Sequence, residues 1–383
     1  MNQTPDSYYI RNQILKKYSL CANCINRQIN TDDEITISNN KKNCELCNNI
    51  YSNIDKLADS VISKLSEYQY STFQIGVSLP TNIIEFEDKL RSHLKLAGGI
   101  NIKSDFVQKL RNIISSKIVN SVDYYNPDII VKVQPLDSTI TVYSKPVHLY
   151  GRYIKKIRGV KQRNIACLSC NNIGCELCSN KKIFDYRSIE DFLSSQLLKH
   201  FKSKKIKFTW IGSEDMNSLV LGNGRPFYAD IFEPKLRSLL NFNLDHKNDI
   251  YLNDFVIQTN NSKSVNFIFE AFVKIMFTKK PDINKLESLT KVFKNREVDL
   301  IPIGKNKVLK RIIYQISIKK ISNNSADFTV KSDGGVSIKA LVGESGFSKN
   351  VLYVTPNISE IIDCDCQCSL FDITNVYHNN NEI

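Results

Sequence analysis

No apolar run reaches the roughly eighteen residues a bilayer-spanning helix needs, so the sequence offers no membrane helix. The N-terminal stretch MNQTPDSYYIRNQ also lacks the apolar centre of a secretory signal. A soluble cytoplasmic protein without a membrane partner is the expectation, nuclear as well if the source is eukaryotic. No Gly-rich turn follows an early strand and no P-loop is present, which argues against a nucleotide cofactor. Histidine is sparse. His93, His148, His200, His246 and His378 show no ligand spacing and no Ser or Cys partner, so a hydrolase triad has no support.

Cysteine and positive charge, by contrast, are plentiful. Eleven cysteines in a chain without a secretory signal are hard to read as disulfides. Cys21, Cys24, Cys44 and Cys47 form C-x2-C-x19-C-x2-C, in which each pair can aim two thiolates at one tetrahedral ion. Structural zinc is the expectation, and it would stabilise an N-terminal segment poor in apolar residues. Cys167, Cys170, Cys175 and Cys178 repeat the pairs with four residues between them, which reads either as a second zinc knuckle or as cysteines packed in a small hairpin. Cys364, Cys366 and Cys368 alternate, and in a strand they would share one buried face as small hydrophobes. The formal charge of +13 suggests a polyanionic partner. At 383 residues the chain suits two or three domains.

Apolar spacing predicts helices over 54–68, 84–96 and 105–119, the last capped by Ser104, and strands over 73–79, 128–133 and 138–143. Gly151 to Arg163 (GRYIKKIRGVKQR) carries Arg152, Lys155, Lys156, Arg158, Lys161 and Arg163 around Tyr153 with no acid. Such a run suits phosphate contact with base stacking, or is a solvated basic linker. Ser188 begins a helix with Asp191 three residues on. Lys199, Lys202, Lys204, Lys205 and Lys207 follow, either as an RNA patch or as cations favoured at a helix end.

The densest signal lies between Trp210 and Phe227, WIGSEDMNSLVLGNGRPF. Ile206 to Ile211 reads as a strand ended by Gly212, which leaves Glu214 and Asp215 in the loop at its mouth. Two glycines, Arg225 and Pro226 then precede the apolar run Phe227 to Phe232. A carboxylate and a guanidinium can thus reach one cleft.

This block resembles the catalytic motif of the archaeal and eukaryotic Pus-ten family of pseudouridine synthases, approximately G-R-E-D-V-D-V-R-M-L-G-x-G-R-P-F. Asp215 falls on the family's catalytic aspartate, while Ser213, Asn217 and Leu219 stand where the family carries Arg, Asp and Arg. The resemblance extends along the chain. Residues 125–128 and 146–153 resemble the family's THUMP-containing region, and Gly151 to Gly159 its G-R-Y-x-K-x-x-R-G segment. Tyr314, within the apolar strand 308–318, matches the K-x-Y tyrosine, with Ile312 in place of Lys. Gly335 to Val342 looks like G-L-Y-I-K-E-L-I with Ser337 in place of Tyr, and 356–362 and 370–376 resemble the closing helix and strand.

The resemblance implies an α/β (α+β) chain in four parts. These are a zinc-binding segment (1–53), a THUMP-like RNA-binding domain (54–150), a basic segment with the second cysteine cluster (151–182), and a catalytic domain of mixed and antiparallel sheet flanked by helices (183–383). It implies a monomeric isomerase that converts uridine to pseudouridine in the tRNA T-loop, at position 55 and with it 54, with no cofactor in catalysis and only structural zinc. Asp215 would act as nucleophile at the sugar or as a base driving elimination, and Lys339 would keep it charged. Tyr314 would stack on the base and Arg225 anchor phosphate, while Arg152, Tyr153, Lys155 and Arg158 would contact RNA. The competing reading is a zinc-dependent RNA-binding module in which Asp215 is incidental.

Overall fold

The computed structural model describes residues 7–29, 43–96, 98–164, 188–240, 242, 249–259, 266–302, 307–344 and 351–378. The quartet Cys167, Cys170, Cys175 and Cys178 lies outside these residues, as does His246. The chain divides into two compact units, Met1–Pro146 with Phe232–Arg237, and Val147–Ile231 with Ser238–Ile383. Among the described residues no helix is long and apolar enough to cross a membrane.

The first unit contains helices α1 (Ser7–Lys17), α2 (Ala22–Ile29), α3 (Ile54–Leu65), α4 (Thr81–His93) and α5 (Ile102–Lys117), and strands β1 (Thr72–Val77), β2 (Ser121–Val122), β3 (Ile129–Gln134) and β4 (Thr139–Ser144). The sheet order is β2-β1-β3-β4, with β1 parallel to both neighbours and β4 antiparallel to β3. Strand β3 shows why one face is covered: Ile129, Val131 and Val133 point into the core, while Ile130, Lys132 and Gln134 alternate with them and point out. Phe106, Leu110 and Ile114 of α5 and Leu57, Val61 and Leu65 of α3 complete that core. The cap of α5 is Asn101, whose side chain accepts the Ser104 N–H at 2.8 Å, rather than Ser104 itself.

Cys24, Cys44, Leu46 and Cys47 belong to the same buried cluster as Phe73 and Val131. The expected boundary between residues 53 and 54 therefore does not separate two cores. Residues Phe232–Arg237 return to this unit, where the Lys235 carbonyl accepts the Gln69 N–H at 2.7 Å and the Arg237 guanidinium donates to the Lys145 carbonyl at 2.6 Å.

The second unit holds β5 (Val147–Lys155), α6 (Ile189–Phe201), β6 (Lys205–Trp210), β7 (Val220–Phe232), β8 (Ile250–Gln258), β9 (Phe267–Phe277), α7 (Ile283–Val292), β10 (Arg296–Pro302), β11 (Leu309–Ile321), β12 (Ser325–Asp333), α8 (Ile338–Val342), β13 (Val351–Thr355), α9 (Ile358–Ile362) and β14 (Cys366–His378). One sheet runs β13-β10-β11-β12-β9-β14-β7-β5-β8, and β6 pairs with β7. The β14–β7 contact, Ile373 opposite Val220, is parallel, whereas the other pairs along this path are antiparallel. The sheet is mixed, as the resemblance implies, and most of its pairs are antiparallel.

Ser188 caps α6 as expected, accepting the Asp191 N–H at 3.0 Å, and Phe192, Leu193, Leu197 and Phe201 pack it on Leu149, Trp210 and Phe227. Cys364, Cys366 and Cys368 are core residues, and burial pushes the thiols of Cys366 and Cys368 up to about 12.

Two expectations are corrected here. Gly151 does not open a new segment, because residues 147–155 form one strand with Gly151 opposite Phe227. Likewise Gly222 to Pro226 does not merely precede the strand of the apolar run 227–232 but is part of it, in β7, whose register against β5 slips between Tyr153 and Lys155. Gly224 absorbs that slip at φ +78°, where a β-carbon would meet the Tyr153 carbonyl oxygen at 2.8 Å.

Candidate active site

Asp215 sits in the connection between β6 and β7. The turn starts at Gly212, where φ is +80° and a β-carbon would collide with the Arg225 guanidinium and the Phe267 ring. The Asp215 Oδ1 accepts the Asn217 N–H at 3.1 Å, and the Asp215 carbonyl accepts the Ser218 N–H at 3.0 Å. Its Oδ2 accepts a hydrogen bond from Lys339 Nζ at 2.8 Å, with the two side chains 30% and 29% exposed. The predicted pair is therefore in contact and open to solvent.

Burial alone would raise the Asp215 carboxyl. The Lys339 hydrogen bond, the Asn217 N–H and the charges of Lys339 and Lys155 outweigh it and hold the group below the ordinary aspartate value. Lys339 is pulled down by burial, but its bond to Asp215 leaves it above the usual lysine value. Lys339 projects from α8, a single turn capped by Ser337, whose hydroxyl accepts the Ala340 N–H at 3.4 Å. The serine that replaces the motif's tyrosine thus starts the helix that carries the lysine.

Beneath the loop lies a buried charge cluster. Lys155 Nζ is 2.9 Å from Glu214 Oε1, both side chains being 0% exposed, and Arg225 Nε is 3.5 Å from Glu214 Oε2. Tyr153 donates its hydroxyl to Glu214 Oε2 at 2.8 Å and accepts from Gln162 Nε2 at 2.9 Å. Lys155 also donates to the carbonyls of Val160 at 3.0 Å and Asp215 at 3.4 Å. A carboxylate between two cations and a phenol is the form in which a buried charge persists.

This arrangement corrects the roles expected for four residues. Arg225, 2% exposed, does not face solvent to anchor phosphate but binds Glu214 and the Ile211 carbonyl at 3.0 Å. Tyr153 and Lys155 are buried, and Arg152 donates to the carbonyls of Gly224 and Val376 at 3.1 and 2.9 Å. The cause is strand geometry: these side chains lie in β5 and β7, inside the sheet, and the apparent cation run is divided between interior and surface. Lys156, Lys161 and Arg163 are its exposed members.

Arg158 is half-buried. It grips both Asp372 oxygens at 2.7 Å and donates to the Asn217 carbonyl at 2.5 Å. Tyr314 lies at a register shift in β11, donates its hydroxyl to Asp333 Oδ1 at 2.8 Å, and lines a cleft of about 360 Å³ with Phe267, Arg311, Asp333, Gly334 and Tyr377. Asp215 and Lys339 do not line this cleft; Phe267, in contact range of both Gly212 and Gly334, lies between the two places. Sequence reasoning misses the parts played by Glu214, Asp372 and Asp333. For Asp372 and Asp333 the available signal is only an acid within an apolar strand.

In the first unit the Sγ atoms of Cys21, Cys24, Cys44 and Cys47 lie within 4.8 Å of one another. The Cys21–Cys47 separation of 3.7 Å is close to the roughly 3.8 Å edge of a tetrahedron with ~2.3 Å zinc–sulfur bonds. Arg27 Nη2 donates to Cys24 Sγ at 3.8 Å. The four residues fit a structural metal.

Together these features define a class: an α/β protein whose catalytic-type unit presents one lysine-paired aspartate at a strand mouth. Two family models match the chain, "Pus10 THUMP domain, archaeal" over residues 57–134 and "Pus10, C-terminal" over residues 148–300. A curated relative from Nitrosopumilus maritimus, a tRNA pseudouridine synthase Pus10, is 32% identical over 96% of this chain and 97% of its own. Proteins of the same name from Cenarchaeum symbiosum and Methanocaldococcus jannaschii are 26% and 28% identical over 87% and 91% of this chain, and 81% and 79% of their own. Among solved structures, a chain of a Cbf5-Nop10-Gar1 complex aligns with 50% of this chain and 47% of its own at 13% identity, with a TM-score of 0.30 too low to bear on the argument. The chain belongs to the Pus10 family.

Proposed function

We propose that this protein is a tRNA pseudouridine synthase that isomerises T-loop uridine, position 55 and with it 54, using Asp215 as nucleophile. The observation that carries the reading is the 2.8 Å contact between Asp215 and Lys339, which keeps a solvent-accessible carboxylate ionised. In this mechanism the carboxylate oxygen bonds to the ribose C1′ as the C1′–N1 bond breaks, and the uracil leaves as an anion. The base turns, its C5 bonds to C1′, and the Asp215 ester bond breaks to return the carboxylate. The C5 proton is lost and N1 is protonated, so no redox partner is needed. A uridine inside a folded T-loop has to be extruded first. By the resemblance to the family's K-x-Y tyrosine Tyr314 stacks on it, and the exposed Lys156, Lys161 and Arg163 meet phosphates. Cys21, Cys24, Cys44 and Cys47 hold zinc, which supplies structure and no step of the reaction.

Site-resolved mapping of pseudouridine on a tRNA transcript after incubation with the purified protein tests this. Product in the T-loop is expected. Product confined to another arm overturns the substrate assignment, and no product overturns the activity.

A further inference from the structure

We infer that Arg158 and Asp372 form a clamp that positions the Asp215 loop, and that Arg158 serves this loop rather than RNA phosphate. The inference rests on the functional reading above. Both Asp372 oxygens receive Arg158 Nη atoms at 2.7 Å, the planar two-bond geometry that fixes orientation as well as distance. Each partner also holds the loop by its main chain. Arg158 donates to the Asn217 carbonyl at 2.5 Å, and Asp372 Oδ1 accepts the Leu219 N–H at 2.8 Å. The neighbours repeat the pattern: Gly159 N–H donates to the Met216 carbonyl at 2.9 Å, and Ile373 N–H to the Leu219 carbonyl at 2.9 Å. Asn217 is the direct link, because its carbonyl is held by Arg158 while its N–H is donated to Asp215 Oδ1. The loop contributes only backbone atoms to these bonds at 216, 217 and 219. That explains how Asn217 and Leu219 stand in for the family's Asp and Arg without loosening the turn.

The test compares Arg158→Ala, Asp372→Asn, their double variant and the conservative Asp372→Glu. Single-turnover pseudouridine formation, RNA affinity, thermal unfolding and the pH–rate profile are measured on the full chain. Arg158→Ala and Asp372→Asn are each expected to lower the saturating rate on the order of a hundredfold, as a small misplacement of a reacting group does. Affinity should stay unchanged, the double variant should be no worse than either single one, and Asp372→Glu should recover part of the rate. The acid limb should also move to higher pH in Asp372→Asn, because a loosened Asn217 N–H no longer favours the Asp215 carboxylate, with Lys339 and Lys155 still facing it. Weaker RNA binding in Arg158→Ala with a wild-type rate in Asp372→Asn would overturn the clamp and return Arg158 to the RNA. A rate loss that follows the unfolding temperature and leaves the acid limb in place would also overturn it. If the wild type forms no pseudouridine, the functional reading fails separately. The clamp is then decided by NMR titration of the Asp215 carboxyl, which must still rise in Asp372→Asn.

Discussion

Asp215 depends on a neighbour it finds 124 positions along the chain, since Lys339 offsets the burial that by itself would raise its carboxyl. The sign of the pH effect follows. An aspartate held below its ordinary value stays ionised as pH falls through the usual carboxylate range, so activity in the wild type persists into that range. In Lys339→Met burial remains while the hydrogen bond and the charge are gone, so the acid limb of the pH–rate profile is expected to move upward and the maximal rate to fall. An unmoved limb would detach Lys339 from Asp215. Glu214 is the opposite kind of acid, sealed and structural. Glu214→Gln leaves Lys155 and Arg225 buried without their counter-charge, and a loss of about 3–5 kcal/mol is expected in a denaturant melt. Near-neutral stability would show that the cluster contributes little.

At the scale of elements, the cysteine knuckle is part of the core of the first unit, so metal and fold should be linked. Cys24→Ser is expected to remove one equivalent of zinc by elemental analysis and to lower the unfolding temperature, and a variant with unchanged metal content would refute the site. Elements with a strong period are legible in the sequence: β3 alternates, α5 carries its stripe, and Ser188 caps α6 where expected. The glycine-rich stretch of β7 is not, because its pairing with β5 slips and the local signals of a turn are real while the strand continues. Residues 233–307 carry no helix or strand assignment from the sequence, although β9, between β12 and β14, lies there. The site divides in the same way. Asp215 and Lys339 are legible through motif resemblance, whereas the Arg158–Asp372 pair spans 214 positions and leaves no local pattern. The cation run is misread because composition cannot tell which face of a strand a side chain takes.

For the whole molecule, a charge of +13 predicts that tRNA binding weakens steeply with salt, since each neutralised phosphate releases counterions. A linear fall of log affinity with log salt, with the same slope in wild type and Asp215→Asn, is expected in filter binding. A binding module and a synthase would both behave so, and only the chemistry separates them. The decisive measurement is tritium release from 5-tritiated uridine in a T-loop transcript, compared between wild type and Asp215→Asn at matched RNA occupancy. Release by the wild type and none by the variant is the predicted result, and substantial release by the variant would contradict Asp215 as the nucleophile.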